Sequence, residues 1–138
     1  MKPKLPLPPA AAALLLLVWL PLACQGGASQ ALSLKSDDEP LQVMLSVGRT
    51  AQDCWFASKD PAFGGFRLAD ETNSHSGRPR LLLVPRRDPG GLPKLVIQAE
   101  RIDGMTDIQV YGPALATSLG TRITGDVKRW SAGDKACR

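Results

Sequence analysis

Apolar residues are arranged in three ways along this chain: an unbroken run near the N-terminus, two stretches at helical spacing, and a middle region where they alternate with polar residues. The first helical stretch opens with Ser36-Asp37-Asp38-Glu39-Pro40. From there Leu41, Met44, Leu45, Gly48, Ala51 and Trp55 fall on one side, with Gln42, Ser46, Arg49 and Asp53 largely on the other. That stripe predicts a helix over 37–56. Ser36 or Asp37 is placed to cap it, the acids suit the helix dipole, and Pro is tolerated in a first turn. Gly48 weakens it by about 1 kcal/mol relative to Ala, and Leu41-Val43-Leu45-Val47 also alternates as a strand would. Near the other end Leu115, Leu119, Ile123, Val127 and Trp130 form a second stripe. It predicts a helix over 114–131, with Thr117, Arg122, Lys128 and Arg129 largely outside it.

Between these stretches the period is two. Phe66 and Leu68 alternate with Arg67 and Ala69 in a first strand over 64–71, followed by turn-forming residues from Thr72 to Gly77. Arg80 to Val84 is a short apolar strand ended by Pro85, the loop from Arg86 to Gly91 follows, and Lys94 to Ile102 is a third strand. Ile102-Asp103-Gly104-Met105 is the strongest local signal: a two-residue Asp-Gly loop closes a hairpin whose turn needs positive φ at both centre positions. Fixing the turn sets Ile102 opposite Met105, Ala99 opposite Ile108, Ile97 opposite Val110 and Val96 opposite Tyr111. One face then carries Leu95, Ile97, Ala99, Ile108 and Val110, and the other Gln98, Glu100, Asp107 and Gln109. The same register opposes Glu100 and Asp107, a like-charge pair that costs stability unless an arginine or a cation offsets it. Gly112-Pro113 ends the sheet. The expected fold is α+β: a two-layer sandwich with a four-stranded antiparallel meander, covered on one face by an N-terminal and a C-terminal helix.

The first residues have a different logic. Lys2 and Lys4 precede the unbroken apolar stretch Ala10–Leu20, then Pro21 and small residues follow. That stretch is short for a membrane span, which needs roughly 20 apolar residues, and suits a secretory signal peptide. Leu22-Ala23-Cys24 resembles the end of a bacterial lipoprotein signal, although Pro21 and Leu22 depart from the usual residues. The resemblance implies a signal over 1–23, a lipid on Cys24, and, with Gln25 rather than Asp next, the outer membrane. Ordinary cleavage after Ala28 or Ala31 is the competing reading. Residues 24–35 read as a flexible tether and 36–138 as a single domain. Either cut leaves Cys54 and Cys137 as an even pair in an oxidising compartment, where a disulfide is the default. Beyond the signal, the chain resembles small exported proteins of Gram-negative bacteria, which implies a periplasmic or outer-membrane address and assigns no residue roles.

Composition narrows the chemistry further. At 138 residues there is room for one domain. The 17 Lys+Arg and 13 Asp+Glu give +4, but without Lys2 and Lys4 the balance is 15 against 13, too even for a nucleic-acid binder. The only histidine, His75, lies among Asp70, Glu71, Ser74 and Ser76; residues adjacent on a loop do not make a nucleophile unless a base is held and oriented against it. One His and no grouped Cys leave no set of zinc ligands, and no phosphate-binding glycine motif opens a helix, so no metal or cofactor is expected. Arg78 and Arg80 flank the second strand, Arg86 and Arg87 follow it, and Lys94 and Arg101 bracket the third. Arg78, Arg80, Arg86 and Arg87 are the candidate surface for an acidic envelope component or protein. Trp55 and Trp130 are expected to face the core. The expected function is a non-catalytic envelope protein that binds another envelope component. The alternatives are an inhibitor that plugs a periplasmic or host hydrolase with the Thr72–Gly77 loop, and a hydrolase using His75 and carboxylates.

Overall fold

The computed structural model describes residues 31–138; Cys24, the expected signal and nearly all of the expected tether lie outside the described residues. In chain order the elements are β1 (Leu32–Ser36), α1 (Pro40–Ala51) running on into a π-helical turn (Gln52–Ala57), and a 3-10 turn (Pro61–Phe63). Strands β2 (Phe66–Glu71), β3 (Arg80–Pro85), β4 (Leu95–Ile102) and β5 (Met105–Tyr111) follow. A 3-10 turn (Pro113–Ala116) and α2 (Gly120–Ser131) complete the order.

The hairpin is built as its turn requires. Asp103 and Gly104 sit at φ 51° and 81°, left-handed conformations that Asp tolerates and Gly adopts freely. The β4–β5 pairs are those the turn dictates, including Ile97 with Val110, Ala99 with Ile108 and Glu100 with Asp107. Leu95, Ile97, Ala99, Ile108 and Val110 are all buried, on the face the helices cover. β3 and β2 continue the meander, with Leu81 and Leu83 buried on that same face.

The sheet has five strands rather than four. Leu32–Ser36, which fell within the expected tether and domain start, pairs antiparallel with β5, giving the order β1-β5-β4-β3-β2. Only Leu32 and Leu34 carry its alternation, too short a signal to separate from a linker. The strand forms because β5 offers a free edge and because Ser33 and Lys35 find Asp107 on the open face.

Both helices differ in detail from their stripes. α1 begins after Glu39 with Pro40 in its first turn and no side-chain cap, correcting the expected Ser36 or Asp37 cap. The buried Thr106 hydroxyl instead ties down the Asp38 carbonyl at 2.6 Å. The buried side is Val43, Met44, Val47, Gly48 and Ala51, continuing through Cys54 and Trp55, while Leu41 is 40% exposed. Gly48 lets the helix sit close on β3: a Cβ there would come within 3.0 Å of Leu81 Cδ2. In the second stripe, Thr117 is extended and its hydroxyl accepts from the Leu119 amide. The helix therefore restarts at Gly120, and Leu115 belongs to the preceding 3-10 turn. α1 lies across β3, β4 and β5 and packs on α2, which reaches β1. Trp55 stacks on Phe63 at 4.5 Å between ring centres and meets Trp130 at 5.0 Å, so both tryptophans are core residues as expected.

Candidate functional site

Among the described residues, no helix covers the second face of the sheet. Because paired antiparallel residues share a face, the strand registers place Ser33 and Lys35 of β1, Asp107, Gln109 and Tyr111 of β5, and Val96, Gln98 and Glu100 of β4 together there. Arg80, Leu82 and Val84 of β3 and Arg67, Ala69 and Glu71 of β2 complete the surface.

One half of this face is largely satisfied by its own side chains, with Arg80 Nε buried there without a hydrogen-bond partner among the described residues. Asp107, only 5% exposed, accepts from Ser33 Oγ at 2.8 Å and from Gln109 Nε2 at 3.0 Å, and pairs with Lys35 Nζ at 3.1 Å. The hydrogen bonds from Gln109, Ser33 and Lys35 hold its carboxyl below the usual aspartate range, against the opposing effect of burial. Gln98 bridges Gln109 and the Tyr111 hydroxyl, so a chain of polar contacts crosses three strands. The opposed Glu100 and Asp107 are offset by separate cations: Arg78 Nε lies 2.8 Å from Glu100, and Lys35 answers Asp107. Arg80 pairs with Glu71 at 2.6 Å across β2 and β3.

The other half is not satisfied in this way. The four candidate arginines do not form one cluster: Arg80 starts β3 and Arg86 follows its end, six residues or roughly 20 Å away. Arg86 donates to the Phe66 carbonyl, a neutral acceptor. Arg67 is opposite Val84 on β2, and Lys94, whose amide bonds the Leu83 carbonyl, flanks the same row on the β4 side. Among the described residues, the side chains of Arg67, Arg86, Arg87 and Lys94 all lack a carboxylate within ion-pairing distance, although each is exposed. The nine-residue β3–β4 loop that carries Arg86 and Arg87 also holds Leu92, 84% exposed. Leu92 and Arg67 were missed because nothing in a local pattern says which end of a strand will lack counter-charges.

The Thr72–Gly77 loop surrounds an open concavity of about 480 Å³. Asp70 accepts from the Thr72 amide at 2.8 Å, and Ser74 and Ser76 bond each other at 2.8 Å. None of these bonds engages His75, and Glu71 is committed to Arg80. Among the described residues, no three His, Cys, Asp and Glu side chains gather as a metal-binding group.

On the helical side, Cys54 and Cys137 are joined in a disulfide that closes 83 residues, with Cα atoms 5.2 Å apart. The C-terminal tail is steered there by Asp126. This carboxylate, 2% exposed, accepts from Trp55 Nε1 at 2.8 Å and from Arg122 Nε at 2.9 Å, and also binds Arg129. Arg129 in turn donates to the Ala136 carbonyl at 2.9 Å, next to Cys137. Arg122 reaches on to Asp60 at 3.0 Å and lies over the Phe63 ring. The signal for this cluster was present as Arg122, Asp126 and Arg129 at spacings of four and three, but burial of the acid depends on Trp55, 71 residues away. No protein-family model, curated protein or solved structure matches the chain.

Proposed function

We propose that this chain is a small exported protein of the Gram-negative envelope, periplasmic or tethered to the outer membrane through Cys24, that acts by binding an acidic envelope component without catalysis. The observation that carries this reading is the charge segregation on the open sheet face. Arg78 and Arg80 are matched to Glu100 and Glu71, whereas Arg86 and Arg87 lie at the sheet end without a carboxylate partner among the described residues. The contact surface narrows accordingly to Arg86 and Arg87, with Arg78 and Arg80 serving the fold. The Cys54–Cys137 disulfide is consistent with an exported protein.

Fractionation of producing cells followed by intact-mass measurement tests the address. The expected result is recovery from the envelope, a mass showing loss of 1–23 with a lipid on Cys24 or loss of 1–28, and two hydrogens fewer at the cysteine pair. A full-length, reduced protein in the cytosol would refute it. For the surface, Arg86→Ala with Arg87→Ala is expected to abolish cross-linking to envelope material, while Arg78→Ala with Arg80→Ala retains it. The reverse pattern would move the contact to the other end of the sheet.

A further inference from the structure

We infer that the β3–β4 loop and the sheet end around it dock the folded domain onto an anionic phospholipid surface, with Leu92 entering the headgroup layer and Arg67, Arg86, Arg87 and Lys94 meeting lipid phosphates. The inference rests on the envelope reading above and names the partner of the same surface.

Three separate observations converge on it. The loop is built of hydrogen-bonded turns: Asp88 and Gly91 amides donate to the Pro85 and Asp88 carbonyls. At its far side Leu92 stands 84% exposed beside Pro93, with no packing role. A large apolar side chain held in water at a loop tip is unfavourable by the area it exposes, and flanking cations make it the interfacial kind of apolar residue. The charge is also right for lipid phosphate. Four exposed cations face this end, and Asp88 is the one carboxylate within the loop, pairing with no cation among the described residues.

The third observation is direction. Leu32 at the start of β1 is level with Val110, Ile97, Leu81 and Asp70 across the five strands. Moving from Leu32 toward lower numbers is moving along β4 toward Lys94, along β3 toward Arg86, and along β2 toward Arg67. Read toward the N-terminus, β1 therefore points at the end of the sheet that carries the unpaired cations and Leu92, although Leu32 itself lies level with Leu81, one residue from Arg80 and five from Arg86. The loop lies two to three strand spacings sideways from β1, roughly 10–15 Å, and its ends, Lys94 and Arg86, lie three and five residues along the strands from the level of Leu32, roughly 10 and 17 Å. Seven residues separate Cys24 from Leu32, and that length of chain reaches at most roughly 28 Å. That reach is enough for an anchor at Cys24 to bring this end of the sheet to the bilayer. A basic patch tipped by an apolar side chain is attracted to anionic lipid whatever holds the N-terminus.

Hydrogen exchange of the natively processed protein on vesicles tests this without depending on how the N-terminus attaches. On vesicles of phosphatidylglycerol and phosphatidylcholine, amides in residues 86–94 are expected to gain protection that fades with added salt, and on phosphatidylcholine alone they are not. Arg86→Gln with Arg87→Gln is expected to lower the affinity of the loop for the acidic vesicles about 30-fold, and Leu92→Ala about tenfold. Unchanged exchange in 86–94 on acidic vesicles that carry the protein overturns the docking while leaving the envelope address standing. Equal protection by soluble polyphosphate would reassign the patch to an acidic polymer and also overturn it. Protection by acidic vesicles of a protein found only in the cytosol would leave the docking intact and remove the address.

Discussion

Asp126 and Asp107 are both nearly sealed from solvent, yet they sit on opposite faces of one sheet and are satisfied differently. Asp126 lies in the helical layer and is met by two guanidinium groups and an indole N–H. Burial works against the charge of Arg122, but Asp126 and Asp60 outweigh it and raise its pKa. Asp107 lies on the uncovered face and is met by one ammonium, a hydroxyl and an amide. The first carboxylate links α1, α2 and the C-terminal tail, the second pins a single edge strand. A buried charge stabilises whatever its partners belong to, so Asp126 holds the core together and Asp107 holds the segment through which the N-terminus enters.

The sharpest way to break the helical side is to remove its covalent link. Cys54→Ser with Cys137→Ser is expected to lower unfolding free energy by about 4 kcal/mol, read as a shift in the urea midpoint at near-constant slope. Asp126→Asn comes next, at about 3 kcal/mol, because it removes the buried carboxylate that Arg122 and Arg129 share and leaves them only Asp60 and Asp134. Its signature is a shift in Trp emission as the acceptor facing Trp55 Nε1 changes from a carboxylate to a neutral amide oxygen. An unshifted spectrum would mean that packing alone holds that ring.

On the open face the effects are smaller and more local. Asp107→Asn is expected to cost about 1–2 kcal/mol and to speed amide exchange over Leu32–Ser36 while leaving α2 unchanged. Equal changes in both would show that β1 and the helical layer open together. The same group sets a pH dependence. The folded-state pKa of Asp107 lies below its ordinary value of 3.8, so its contribution is present above about pH 4 and disappears as pH falls through the depressed value. The stability gap between wild type and Asp107→Asn should therefore close below pH 4. Smallest is the contrast between the two arginine pairs: Arg78→Ala costs about 0.5 kcal/mol through the exposed Glu100 pair, and Arg87→Ala costs nothing measurable by thermal melting.

The parts of this fold that could be read locally were those enforced by neighbours in sequence. Asp103-Gly104 imposes its register within a few residues, and the faces of β4 and β5 followed from it. The disulfide could be argued by counting, and Trp55 and Trp130 could be placed inward because each completes a stripe. β1 could not be recognised, since two leucines in five residues say little until β5 provides an edge. The helix details differ for related reasons: Thr117 breaks the second stripe with its own hydroxyl, and Gly48 permits a close approach to Leu81.

The candidate surface shows the same division. Four arginines could be counted along the chain, but their equivalence could not be tested there, because ion pairing depends on strands brought together by the sheet. Glu71 and Glu100 quench Arg80 and Arg78 only through the β2–β3–β4 register, and among the described residues no such neighbour arrives for Arg86 and Arg87. Residue identity alone decided the hairpin, the alternating faces, the helical content and the cysteine pair, since these rest on bond rotations and spacings a few residues long. The fifth strand, the buried Asp126 and the free basic end were decided by the assembled structure, because charges and strand edges acquire partners only when distant segments meet.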